Sequence, residues 1–146
     1  MAITSAICNS FKQEILEAEH NFTASTGNTF KLALYTSSVT LGASTTAYSS
    51  SNEITNSSGT AYTAGGASLT SVTPTLDSST AVCDFSDVSW TSASFTANGC
   101  LIYNDSHSTD AAVCAVAFGG DKTVSSGTFT VQFPAAAATT AIVRIA

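Results

Sequence analysis

Charge is what this chain has least of. Of its 146 residues only four are lysine or arginine and ten are aspartate or glutamate, a charged fraction of 10% against roughly 25% in ordinary globular chains. The fixed cations are Lys12, Lys31, Lys122 and Arg144, scattered singly, and the formal net charge is −6. Binding to nucleic acid draws on clustered lysine and arginine that displace counterions from phosphates, so neither DNA nor RNA is an expected partner. Long apolar runs are also missing, which leaves nothing of bilayer-spanning length and no membrane partner expected. Met1–Ile7 has neither a basic start nor an extended apolar stretch and does not read as a signal peptide. There are two prolines, one tryptophan and two histidines. The four cysteines have no C-x-x-C spacing, and Cys83, Cys100 and Cys114 fall in strand-like runs, where reduced, buried thiols are expected.

Serine and threonine take the place of charge, at about a third of all positions, while 44% of the residues are hydrophobic. A domain of this length buries roughly 70% of its unfolded surface, enough for a core. A hydroxyl-coated exterior costs little to desolvate and suits contact with other proteins.

One stretch has helical periodicity. Ile7, Phe11, Ile15, Ala18 and Phe22 recur every three or four residues, and Ser10-Phe11-Lys12-Gln13 has the form of a capping box. The spacing predicts a short amphipathic helix over about 10–22, too short to stand alone, whose stripe docks on a sheet or on a neighbouring subunit. His20 then falls at the helix end, where a cation complements the dipole, and Glu14, Glu17 and Glu19 form the solvated face.

From Thr29 the period changes to two. Phe30, Leu32 and Leu34 alternate with Lys31, Ala33 and Tyr35. Further strands are predicted over 68–76, 81–85, 88–90, 94–103, 112–118, 128–133 and 140–145. Pieces such as Ala64-Gly65-Gly66, Asn104-Asp105-Ser106, Gly119-Gly120-Asp121 and Ser125-Ser126-Gly127 read as turns between them. The expected fold is therefore mainly β: one domain over 1–146, an antiparallel β-sandwich or jelly roll with one short N-terminal amphipathic helix. Residues 36–66, rich in Ser, Thr, Gly and Asn, carry Val39, Leu41, Tyr48, Ile54 and Tyr62 and are expected to form an ordered arm whose tyrosines anchor it to a surface.

Chemistry-bearing residues are few. The turn Asn104-Asp105-Ser106-His107-Ser108-Thr109-Asp110 has the residue types of a hydrolytic triad, but crowded into one loop and without a G-x-S-x-G elbow, so no catalytic residue and no enzyme is expected. Asp105, Asp110 and Asp121 could offer oxygen ligands to calcium, yet their spacing is not that of an EF-hand and a solvated turn explains them; no metal or cofactor is expected. Trp90 alternates with Val88 and reads as a core residue rather than a platform for a sugar ring.

Several segments together resemble the small Ser/Thr-rich virion proteins of tailed bacteriophages, cyanophages included. They are Ser10–Leu16 leading into His20-Asn21-Phe22, Phe30–Thr36, Ala61–Gly66, Asp84–Trp90, Leu101–Asp105 and Phe118–Lys122. The resemblance implies a capsid decoration, or cement, protein on the virion exterior. It would bridge neighbouring copies of the major capsid protein and assemble as a homo-oligomer, a trimer in preference to a dimer. The rivals are a tail or neck component, such as an adaptor or fibre-associated protein, and a glycan- or receptor-binding β-sandwich module. The contact residues expected on this reading are Phe11, Ile15, Tyr48, Tyr62, Asn104, Asp105, His107 and Asp110.

Overall fold

The computed structural model describes residues 1–146. Its elements are β1 (Ala6–Ile7), α1 (Asn9–Leu16), β2 (Phe30–Tyr35), β3 (Ala67–Ser68), β4 (Ser71–Asp77), β5 (Thr80–Phe85), β6 (Val88–Asn104), β7 (Ala111–Val131) and β8 (Val143–Ile145). The architecture is mainly β and sandwich-like, with two unequal antiparallel sheets: five strands in the order β1-β7-β6-β2-β3 and three in the order β4-β5-β8. No helix is long and apolar enough to cross a membrane.

The large sheet is built around the β6–β7 hairpin. Its strands run 17 and 21 residues, longer than the pieces expected from the sequence. The segments 88–90 and 94–103 fuse into β6, and 112–118 and 128–133 largely fuse into β7. The supposed turns at 119–121 and 125–127 lie inside β7 as bulges. Between the Ala97–Lys122 and Gly99–Ala117 pairs, the four residues Phe118–Asp121 face one, Asn98. The extra residues adopt left-handed backbone at Gly119, Gly120 and Ser126, so the ladder resumes without a reversal. The one true reversal is residues 105–110, as expected.

Every residue of β2 except Lys31 is buried, so both faces of this strand are covered. Phe30 stacks on Phe22 at 4.3 Å and packs 5.9 Å from Phe85 of the small sheet. On the opposite side of the pleat Tyr103 stacks on Tyr48 of the 36–66 segment at 4.7 Å. That segment is ordered, as expected, but it lies on its own domain. Leu41 bridges to Ile3, Ala47 to Ala111 and Glu53 to Tyr35, and Val39, Leu41, Ile54 and Tyr62 join the core. Gly66 closes it: at φ 80° its missing Cβ would sit 1.9 Å from the Leu32 carbonyl oxygen, so only glycine lets β3 approach β2 here.

The helix is shorter than predicted, 8 residues ending at Leu16 rather than running on to about 22. Cys8, not Ser10, is the N-cap, no side chain caps it, and the Ser10 hydroxyl is buried without a partner. Gln13 hydrogen-bonds to Glu17 instead of reaching back. Ala18 takes a left-handed conformation at φ 61°, which ends the helix after one residue of overrun and turns the chain inward. The apolar period beyond it persists because Phe22 is buried as an extended segment against Phe30.

Candidate functional site

Most of the polar residues singled out in the sequence lie toward the closed end of the β6–β7 hairpin, in two clusters on opposite sides of the sheet, whereas Asp121 and Trp90 lie in its other half. Neighbours along a strand point to opposite faces, so Asn104 serves one cluster and Tyr103 the other.

On the first side, Asn104 is fully buried. Its Nδ2 donates to His20 Nδ1 at 3.0 Å and lies 3.2 Å from Asn28 Oδ1, while its Oδ1 accepts the Ser106 N–H. With Nδ1 accepting, the His20 proton is assigned to Nε2, which donates to Glu14 Oε2 at 2.6 Å. His107 repeats the arrangement: Nδ1 accepts the Thr109 N–H at 3.2 Å, and Nε2 donates to Glu19 Oε2 at 2.7 Å. The two imidazoles stack at 6.1 Å. His20 is thus not a dipole partner at a helix end, and Glu14 and Glu19 are not a free solvated face; all three tie the α1 region to the hairpin turn. Both nitrogens of each ring are engaged within the chain. Asp105 pairs with Lys31 at 3.3 Å. The Asp110 carbonyl accepts the Tyr48 N–H at 2.9 Å.

On the second side, the buried carboxylate of Glu53 accepts from the Tyr48 and Tyr62 hydroxyls, each at 2.6 Å, and from the Gly65 N–H at 2.7 Å. Tyr62 Oη in turn accepts the Leu34 N–H, and the Tyr35 and Tyr103 hydroxyls donate to the Ser49 and Gly65 carbonyls. Four tyrosines and one carboxylate thereby sew residues 47–66 to the sheet. Burial, reinforced by the Glu53 charge, raises the Tyr35, Tyr48 and Tyr62 phenols well above their ordinary value; burial also raises Tyr103, with the Asp105 charge as its next cause.

Of the eight expected contact residues, Phe11, Tyr62 and Asn104 are buried within the chain and are not available at its surface. Phe11 packs on His20 at 4.9 Å and on Phe22. Ile15, Tyr48, His107 and Asp110 are half-buried, and Asp105 is exposed. Trp90 is 7% exposed, packed with Tyr62, Phe95 and Phe129, and offers no open face to a sugar. The cysteines form no disulfide. Burial pushes the Cys100 thiol up to about 12 and Cys8 and Cys83 up to about 11. It raises Cys114 strongly too, aided by Cys100 and Cys8. Such thiols are poor nucleophiles. No three His, Cys, Asp or Glu side chains are grouped to hold a metal ion.

The sequence reading missed Glu53. Its signal was isolation: it is the sole charged residue between Lys31 and Asp77, and one charge in a long neutral stretch that must pack on a sheet has to find partners.

A different surface lies at the open end of the hairpin. Val88–Ala97 of β6 and Lys122–Val131 of β7 pair with each other but extend past β1 and β2. One face of this ribbon carries cross-strand hydroxyl pairs, Ser89–Thr130 and Thr96–Thr123, each at 2.8 Å. Beside it an apolar groove of about 570 Å³ is lined by Val116, Phe118, Phe129, Phe133 and Ile142, among others, with exposed Lys122 also in its wall. No protein-family model matches the chain, and no curated protein or solved structure does either.

Proposed function

We propose that this chain is a structural protein of a tailed-bacteriophage virion, a capsid decoration protein that bridges neighbouring copies of the major capsid protein. The observation that carries the proposal is the open half of the β6–β7 hairpin. A two-stranded ribbon is only marginally stable by itself, and here the outer edge of β7 has no neighbouring strand beyond the Ala6–Ala115 and Ile7–Cys114 pairs. The ribbon is anchored from below by Trp90, Phe95 and Phe129, and its other face presents hydroxyls. Between Lys122 and Val131 only Lys122 is charged. A hydrogen-bonding ribbon with a free edge and a single charge is cheap to desolvate over most of its length and able to accept a strand or loop from a neighbour.

The two clusters at the closed end support the same reading, since they consume the titratable groups in bonds that hold the fold rigid. A protein that cements a shell gains from rigidity, and many equivalent modest contacts add to a strong one. An acidic exterior also keeps it off packaged nucleic acid.

The test is reconstitution. Shells of the phage whose genome encodes this chain, prepared without it, are titrated with the purified protein. The proposal expects saturable binding in a simple ratio to the shell protein and a higher temperature of shell rupture. Binding confined to tails, or none, would refute it, and binding to host polysaccharide alone would favour a receptor-binding module.

A further inference from the structure

Three of the four cations have partners within the chain: Lys12 bonds Asn9 Oδ1, Lys31 pairs with Asp105, and Arg144 donates to the Ala138 carbonyl. Lys122 has none, and it stands in the wall of the apolar groove beside Phe118, Phe129 and Phe133. The neighbouring Asp121 forms no ion pair with it; its carboxylate is turned to Asn98, accepting from Nδ2 at 2.8 Å. The groove is therefore complementary to a group with an apolar body and an adjacent negative charge.

The same chain displays such a group elsewhere. Leu16, the last residue of α1, is 88% exposed, the most exposed large apolar side chain of the molecule. Glu17 follows it, exposed, held on the surface by Gln13 and without any cation. Phe11 of the same helix is turned inward, so Leu16 has no place in the chain's own core. We infer that the helix end Leu16–Glu17 of one copy seats in the Phe118–Phe129–Phe133 groove of a second copy, with Glu17 against Lys122. Knob and groove share no residue, so two copies can exchange the contact across a two-fold axis or successive copies can repeat it around a closed ring. This inference names the self-contact that a homo-oligomeric decoration protein needs, yet it concerns this chain alone and is tested without shells.

Sedimentation velocity of the full chain across a wide concentration range, with thermal melts as folding controls, decides it. Wild type is expected to form a discrete oligomer. Leu16→Ser, at a site too exposed to threaten folding, is expected to weaken association at least about tenfold, as is Lys122→Glu. Glu17→Lys combined with Lys122→Glu, which preserves net charge, is expected to restore it. A wild type that stays monomeric throughout overturns the inference, as does association indifferent to Leu16→Ser or Lys122→Glu, failure of the charge swap to restore it, or native mass spectrometry showing the groove filled by a bound amphiphile. Shell binding by a monomer would leave the decoration reading standing while this one falls.

Discussion

Raising the pH should dismantle this fold from the inside. Cys100, Cys114 and Tyr35 are enclosed in the large sheet, and Tyr62 is buried against it. In an unfolded chain the thiols ionise around 9.0 and the phenols around 10.0. Burial raises all four in the fold, so the folded chain holds protons that the unfolded chain releases. Stability from these groups is complete below pH 9 and falls as pH climbs toward the folded values, by about 1.4 kcal/mol per group for each pH unit past its unfolded value. At about pH 10.5 each thiol removes about 2 kcal/mol and each phenol about 0.8, a combined loss of about 6 kcal/mol. Domains have only about 5–15 kcal/mol to lose. Urea unfolding followed by far-ultraviolet circular dichroism at pH 8, 9.5 and 10.5, with a phosphine reductant present, measures the loss. Cys100→Ala with Cys114→Ala should make the alkaline slope shallower. An unfolding free energy that changes by less than about 1 kcal/mol over this range would refute the burial of these groups as neutral species.

Other expectations concern single side chains. Glu53→Ala should cost about 3–5 kcal/mol, because the buried Tyr62 hydroxyl, the half-buried Tyr48 hydroxyl and the Gly65 N–H lose a charged acceptor, whereas Glu53→Gln keeps the shape and should cost about 1–2 kcal/mol; chemical denaturation separates the two. Gly66→Ala must displace either the Leu32 carbonyl or the turn, on top of left-handed strain, and should destabilise by about 3 kcal/mol or more, with hydrogen exchange rising first at Leu32 and Leu69. Trp90→Ala should cost about 3–5 kcal/mol by opening the Tyr62–Phe95–Phe129 cluster; an unchanged melting temperature would show the tryptophan to be dispensable to the core.

Much of the fold was legible because alternation is a local signal. Phe30–Tyr35 is a strand on its own pattern, and the turn at 105–110 is marked by Asn and Asp. What stayed hidden depended on distant partners. The Gly-Gly-Asp and Ser-Ser-Gly pieces carry turn chemistry, yet β6 runs alongside both and draws them into one strand as bulges. The apolar stripe through Phe22 reads as helix because a period of three to four cannot reveal that Ala18 turns left-handed and that Phe22 is buried by Phe30. The polar clusters were half visible: Asn104, His107 and Tyr48 stood out by type, but their partners Glu19, His20 and Glu53 come from segments whose approach only the tertiary fold sets. Burial of Phe11, Tyr62 and Asn104 follows from the same cause, since these residues satisfy the interior before any partner arrives.

The central proposal is a place on the capsid, and the copy number of this polypeptide per particle tests it most directly. Quantitative mass spectrometry of purified virions, referenced to the major capsid protein, is expected to give a small whole-number or simple fractional ratio, corresponding to occupancy of equivalent sites over the whole shell. A handful of copies per particle would place the protein in the tail or neck, and its absence from washed virions would contradict a structural role in the particle altogether.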